Sequence, residues 1–186
     1  MTVPFVTFFV NLPVSLVDLL SAFFAPFPIL VPERAFIIFG LFLLVYSVAY
    51  LRMKRKLGLV TSGPYGVIRH PQYLGMILAT LGLTSWSVWI LKSTFGIGFL
   101  SPSQTIGVWF VELFAYVLLA QVEELFLSRN YGEVFKSYKS QVPFFIPFLK
   151  TNRRMLDILV SILVLAFLLF GLLAVSQILP VLQEFS

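Results

Sequence analysis

The chain has 186 residues, of which 59% are hydrophobic and 11% charged, too apolar for a soluble domain of this length. Its formal net charge of +5 comes from basic residues set between lipid-length apolar runs, which points to membrane topology and headgroup contacts and away from nucleic acid. With no Cys, a disulfide framework and a thiolate nucleophile are excluded, and with a single His neither a zinc site of the usual kind nor another metal is expected.

A membrane-spanning helix needs roughly 20 apolar residues. The first candidate covers residues 4–25. It carries Asn11, Pro13 and Asp18, so it is expected to kink or tilt. It has no basic n-region and no small-residue cleavage site, and reads as a retained helix, not a signal peptide. Pro26, Pro28 and Pro32 then force a turn, because proline cannot continue a hydrogen-bonded helix. The second span is predicted at 33–51. The third starts at Pro71, a favourable first helical position, and runs to 91. A Gly-, Ser- and Pro-rich loop occupies 92–104, followed by a fourth span at 105–127 and a fifth at 155–179. Between these last two, Tyr131, Phe135, Tyr138 and Val142 recur at helical spacing with Lys136 and Lys139 on other faces, so 128–142 reads as an interfacial amphipathic helix.

The expected fold is therefore all-α: an integral membrane bundle of about five spans. Its parts are an N-terminal helix pair (1–56), a core of two spans with their loops and the interfacial helix (57–150), and a C-terminal helix (151–186). The paired broken helices of an inverted-repeat transporter are not seen. Arg52, Lys54, Arg55, Lys56 and Arg69 lie in one loop, and Arg129, Lys136, Lys139, Lys150, Arg153 and Arg154 in another; only Arg34 and Lys92 fall on the other side. The positive-inside rule puts both basic loops, and the N-terminus, in the cytoplasm. The membrane would be the cell membrane in a microbe and the endoplasmic reticulum in a eukaryote.

Ionisable groups at membrane depth are costly and commonly mark a site. Arg69 and His70 follow a Gly63-Pro64-Tyr65 turn and precede the proline-started third span. A basic residue there can simply anchor a helix to headgroups, but this helix start also offers free N–H groups and a positive dipole end to an anion. Tyr65 and Tyr73 flank it. Gly75, Ala79 and Gly82 form a small-residue stripe that reads as close helix packing. Glu123 and Glu124 end the fourth span, about 100° apart around the helix. Glu112, Tyr116, Leu119 and Glu123 share one face, which is predicted to point into the bundle. Glu123 is then the inward ligand and Glu124 a partner of the basic loops, with Glu112 structural.

The ordered set Gly63-Pro64-Tyr65, Arg69-His70-Pro71-Gln72-Tyr73-Leu74-Gly75, Glu123-Glu124, Tyr131-Gly132, Tyr138 and Val142-Pro143-Phe144-Phe145-Ile146-Pro147 resembles the isoprenylcysteine carboxyl methyltransferase family, related to the membrane phospholipid methyltransferases. The resemblance covers residues 57–147; the first two spans and the last carry no residue of the pattern. It implies S-adenosyl-L-methionine bound in a cytoplasmic pocket at the membrane surface. By position, Leu57, Gly58, Leu59, Val60, Tyr65, His70, Pro71, Gln72, Tyr73 and Glu123 would hold the cofactor, and 142–147 would close over it. The residue chemistry agrees: a carboxylate suits the cofactor's ammonium or ribose hydroxyls, Arg69, His70 and backbone N–H groups its carboxylate, and aromatic rings its adenine. The glycine fingerprint of a Rossmann methyltransferase is absent. At one position, Leu119, the prenylcysteine enzymes have a substrate-orienting arginine, which weakens the implied substrate.

The expected reaction is direct displacement of the methyl group onto the carboxylate of a prenylcysteine-like or other lipid-borne acceptor that enters from the bilayer. A carboxylate with a pKa of about 3.5 is already ionised and needs no base; alignment and exclusion of water would drive the step. Arg69 would position a carboxylate. The alternative acceptor, a lipid amine, would need a base such as His70 or Glu124. Two other readings are a nicotinamide-dependent sterol reductase, against which Gln72 and Met76 stand in place of that family's residues, and a non-catalytic membrane protein. The partners expected are the lipophilic acceptor and membrane lipids, with no nucleic acid and no obligate protein partner.

Overall fold

The computed structural model describes residues 31–54, 56, 58–93, 99–147 and 154–183. The 4–25 span and Leu57 lie outside them. Every regular element among the described residues is a helix: α1 (Val31–Lys54), the single turn α2 (Pro64–Val67), α3 (Pro71–Ser93), α4 (Pro102–Gln141) and α5 (Arg154–Gln183). Apart from α2, each is long and apolar enough to cross a membrane. The chain is an integral membrane helical bundle.

Proline marks the starts. Pro64, Pro71 and Pro102 each open a helix, where the missing N–H would have had no partner anyway. At α4 a capping box adds to this: Ser101 N donates to Gln104 Oε1 at 2.8 Å, and Gln104 N donates to Ser101 Oγ at 3.3 Å. The four long helices differ in setting. In α3, 89% of the most apolar stretch is buried, against 17% in α1, 33% in α4 and 28% in α5. A helix covered on all sides needs no polar face, whereas the other three leave apolar residues such as Phe42, Leu118 and Phe167 exposed, as lipid-facing helices do.

Two compact units divide these helices. The first takes α1 up to Phe39, Leu78–Glu112 and α5 from Phe167. In it Gly82 lies against the Glu33 carbonyl and Ile37, Ser85 Oγ donates to buried Glu33 at 3.1 Å, and Phe110 meets Phe170 with ring centres 6.3 Å apart. The second comprises Gly40–Ile77 and Leu113–Ala166. There a Cβ on Gly75 would stand 2.6 Å from Leu44 N and 2.8 Å from Gly40 O, so α1 and α3 pack backbone to backbone. The small-residue stripe is a packing device.

Two expectations are corrected. The helix predicted to end at 127 continues to Gly132, whose φ of 49° breaks it; the arm beyond runs to Gln141. Leu125, Phe126 and Leu127 prolong the apolar pattern, and no Gly or Pro stands between them and Gly132 to stop the helix. The inward face of α4 is also rotated by one position. Leu113, Val117, Ala120 and Glu124 are buried, at spacings of four, three and four, while Leu119 is half exposed. Glu112 is buried, but Tyr116 and Glu123 sit at the edge of the buried stripe.

Candidate active site

The second unit gathers most of the ionisable residues singled out in the sequence. Arg69 is buried at the end of the α2 turn, its backbone N donating to Pro143 O at 3.0 Å. Its two terminal nitrogens diverge: Nη1 lies 2.9 Å from Glu124 Oε1, and Nη2 lies 3.1 Å from Asp157 Oδ2 on α5. The guanidinium also stands over the Phe144 ring, 5.4 Å from its centre. Glu124 Oε2 pairs with Lys139 on the arm beyond Gly132. A buried Arg, a buried Glu and a buried Asp are tolerable together because each meets opposite charge.

His70 lies at the centre, 2% exposed. Its Nε2 is 3.4 Å from Glu124 Oε1 and its Nδ1 is 3.4 Å from Glu123 Oε2. Tyr73 stacks on the ring, and Phe144 and Phe145 meet it edge-on. Burial alone would lower its pKa, but contacts with Glu123 and Glu124 outweigh that and raise it. The start of α3 does meet anions, as a helix N-terminus favours, but these are the protein's own carboxylates: Gln72 Nε2 also donates to Glu123 Oε2 at 3.4 Å.

In front of this network is a cleft of about 170 Å³. Gly58, Leu59 and Val60 form one wall, Leu51 and Leu127 an apolar edge, and Tyr65, Tyr131 and Tyr138 supply phenols; Arg69 and Glu123 also border it. Tyr138 Oη donates to Tyr65 O at 2.7 Å and Tyr65 Oη to Ser47 O at 3.4 Å, which fixes the phenol wall. Burial, with Glu123 nearby, pushes the Tyr65 phenol up, so it stays a neutral donor.

The residues predicted from the sequence therefore separate into two layers. Gly58, Leu59, Val60, Tyr65, Arg69 and Glu123 line the cleft. His70, Pro71, Gln72, Tyr73 and Glu124 stand behind it, and Phe144 and Phe145 pack on His70 instead of bordering the cleft. Of the two glutamates, Glu124 is the deeper, at 2% exposure of its side chain against 32% for Glu123. The last helix, which carried no residue of the sequence pattern, contributes Asp157. One signal pointed to it: a lone carboxylate in the first turn of a strongly apolar span must find a cation. Lys139 and the cleft-facing role of Tyr138 depend on the bend at Gly132, which periodicity does not reveal.

A family model described as phospholipid methyltransferase matches residues 34–134, more than half of the chain. Over 111 residues the chain is 29% identical to a nickel-cobalt-cadmium resistance protein, NccN, of Alcaligenes xylosoxydans xylosoxydans. That match covers 59% of this chain and 45% of the relative, so the chain spans less than half of the relative's length. No solved structure matches.

Proposed function

This chain belongs to the phospholipid methyltransferase family, and from that premise we propose that it transfers a methyl group from S-adenosyl-L-methionine to a lipid-borne acceptor, with the cleft beside Glu123 as the cofactor site. Family membership and the membrane-length helices are the established parts; the methyl transfer itself, the cofactor, the acceptor and a cytoplasmic orientation of the cleft are the proposed ones. The observation that carries the reading is the pairing of a partly exposed carboxylate, Glu123, with three phenols around one cleft.

Those residues fit the cofactor. It supplies a methyl group made electrophilic by a sulfonium cation. The Glu123 carboxylate can accept from an ammonium or from ribose hydroxyls, and the phenol rings suit a nearby cation. Where a Gly58 Cβ would stand there is no atom within 4 Å, so the backbone of that wall is open to a ligand. His70 and Gln72 hold Glu123 from behind. The residues thus bind and orient, which suits a displacement driven by alignment and exclusion of water.

Charge separates the two acceptor classes. Among the described residues lining the cleft, Arg69 is the one cation, and both of its terminal nitrogens face protein carboxylates. An acceptor carboxylate of the prenylcysteine kind would have to compete with Glu124 and Asp157 for Arg69 while approaching Glu123. A lipid amine meets no such opposition: Glu123 attracts its ammonium form, the ammonium gives up a proton to solvent, and the lone pair of the free amine takes the methyl group as S-adenosylhomocysteine leaves. We therefore favour an amine-bearing lipid, with its tail reaching the cleft from the bilayer. The metal resistance in the relative's name is not carried over: among the described residues no cluster of three or more His, Cys, Asp and Glu side chains is placed to hold a metal ion.

The test is transfer of labelled methyl from S-adenosyl-L-methionine to lipids, offering phosphatidylethanolamine and a prenylcysteine side by side to the purified protein. Label in the amine lipid, lost in Glu123→Gln, is the expected result. Label in the prenylcysteine alone would overturn the amine assignment. No transfer to either, with no binding of S-adenosylhomocysteine, would overturn the reading as a whole.

A further inference from the structure

We propose that Asp157, on the last helix, is a positioning residue for this site: it holds the series of contacts that runs from Arg69 through Glu124 and His70 to Glu123. The consequence for cofactor affinity rests on the reading above; the network itself rests on geometry.

Asp157 lies in the most apolar of the spans, whose mean hydropathy reaches 3.1, and is 5% exposed. A carboxylate kept there must earn its desolvation from a specific partner. That partner, Arg69, is 88 residues away in sequence. A guanidinium is a planar fork, so carboxylates at both terminal nitrogens fix its plane as well as its place. With Asp157 on Nη2, Nη1 is aimed at Glu124 Oε1, the same oxygen that faces His70 Nε2; His70 Nδ1 then faces Glu123. The two ends of the series, Arg69 and Glu123, both line the cleft. Without Asp157, one prong of the fork loses its carboxylate, and the pairing of Nη1 with Glu124 loses the constraint that fixes the guanidinium plane. Asp157 lies outside residues 34–134, so the family match does not include it.

The charges make the same link. The groups facing His70 are Glu123 and Glu124 from α4, Tyr73 from α3, and the Phe144 and Phe145 rings; Arg69 and Lys139 face it across Glu124. Arg69, Lys139 and a protonated His70 balance Glu123, Glu124 and Asp157. Removing the Asp157 charge leaves the cluster with an excess of positive charge, and His70 then holds its proton less tightly.

The chain has one His, so histidine-selective labelling gives a single imidazole titration by NMR, with no ligand required. In Asp157→Asn, or in Asp157→Ala should the amide not fold, the midpoint is expected to move to lower pH, and Asp157→Glu is expected to bring it back. S-adenosylhomocysteine should bind roughly tenfold more weakly to Asp157→Asn, as for loss of one charge-assisted contact. An unmoved midpoint in the folded variant overturns the proposal, because a residue that only fills space would leave the titration unchanged. Failure of the wild-type protein to bind S-adenosylhomocysteine would overturn the cofactor reading instead, and the titration would still decide the role of Asp157.

Discussion

Glu123 and Glu124 adjoin in the chain yet hold opposite edges of one imidazole, Glu123 Oε2 at 3.4 Å from His70 Nδ1 and Glu124 Oε1 at 3.4 Å from Nε2. Their surroundings assign them different tasks. Glu124 is enclosed with Arg69 and Lys139, so Glu124→Gln removes the carboxylate paired with Lys139 and one of the two paired with buried Arg69. Breaking a buried pair in this way costs about 3 kcal/mol. Thermal unfolding in detergent should show that loss for Glu124→Gln and a smaller one for Glu123→Gln, whose side chain is 32% exposed but still faces His70. Calorimetry should show the reverse emphasis, with Glu123→Gln folded but unable to bind S-adenosylhomocysteine.

The imidazole itself gives a pH dependence. A neutral ring can donate from one nitrogen only, so carboxylates on both sides suit the imidazolium. Burial opposes that form, Glu123 and Glu124 outweigh it, and the folded pKa is raised. The folded state then binds the proton more tightly than the unfolded chain. Stability from this group is complete below the unfolded value of about 6.5 and is lost as pH rises through the folded value. The Tm is expected to fall as pH is raised above about 6.5, and the slope in that window should disappear in His70→Gln. A Tm that rises over the same window would contradict the arrangement of charges.

Much of this was legible in the sequence because ionisable residues are conspicuous in an apolar chain. Arg69, His70, Glu123 and Glu124 stood out on that ground alone, and Pro71 announced the start of α3. What remained hidden depends on packing. The two glutamates are 100° apart on any helix, but which of them points inward is set by how α4 is rotated against its neighbours; the Leu113, Val117, Ala120 stripe brings Glu124 with it. The meeting of Asp157 with Arg69 is a tertiary fact that no local pattern encodes. The bend of α4 falls at Gly132 because of a positive φ, which hydrophobic periodicity cannot express.

That bend is itself open to test. Gly132 has φ 49° and ψ −119°, a region that side-chain-bearing residues rarely adopt, and there is no atom within 4 Å of where its Cβ would stand. The cost of Gly132→Ala is thus backbone strain alone, about 1–3 kcal/mol. The chain can relieve it by straightening α4, which would carry Tyr138 and Lys139 away from Tyr65 and Glu124. A lower Tm together with weaker S-adenosylhomocysteine binding is expected. Gly107→Ala, equally open but without positive φ, should hold or raise the Tm, since alanine favours a helix over glycine by up to about 1 kcal/mol.

Gly75 sets the opposite condition: its backbone is ordinary, and space is what fails. A Cβ there would lie 2.6 Å from Leu44 N, 2.8 Å from Gly40 O and 3.0 Å from Leu44 Cα. All three are backbone atoms of α1, so no rotamer change can make room and the helices must part. Gly75→Ala should cost at least about 2 kcal/mol, at the upper part of the range for overpacked cores, and Gly75→Leu should give no monodisperse protein in detergent. Parting α1 from α3 would also disturb Tyr65, whose phenol reaches Ser47 O on α1 while its carbonyl receives Tyr138. Gly75→Ala is therefore expected to weaken S-adenosylhomocysteine binding although Gly75 does not line the cleft. Gly66→Ala, where the nearest atom is Thr61 O at 3.2 Å, should cause a smaller loss of Tm. Equal losses for the two variants would show that the α1–α3 contact is not what fixes the cleft.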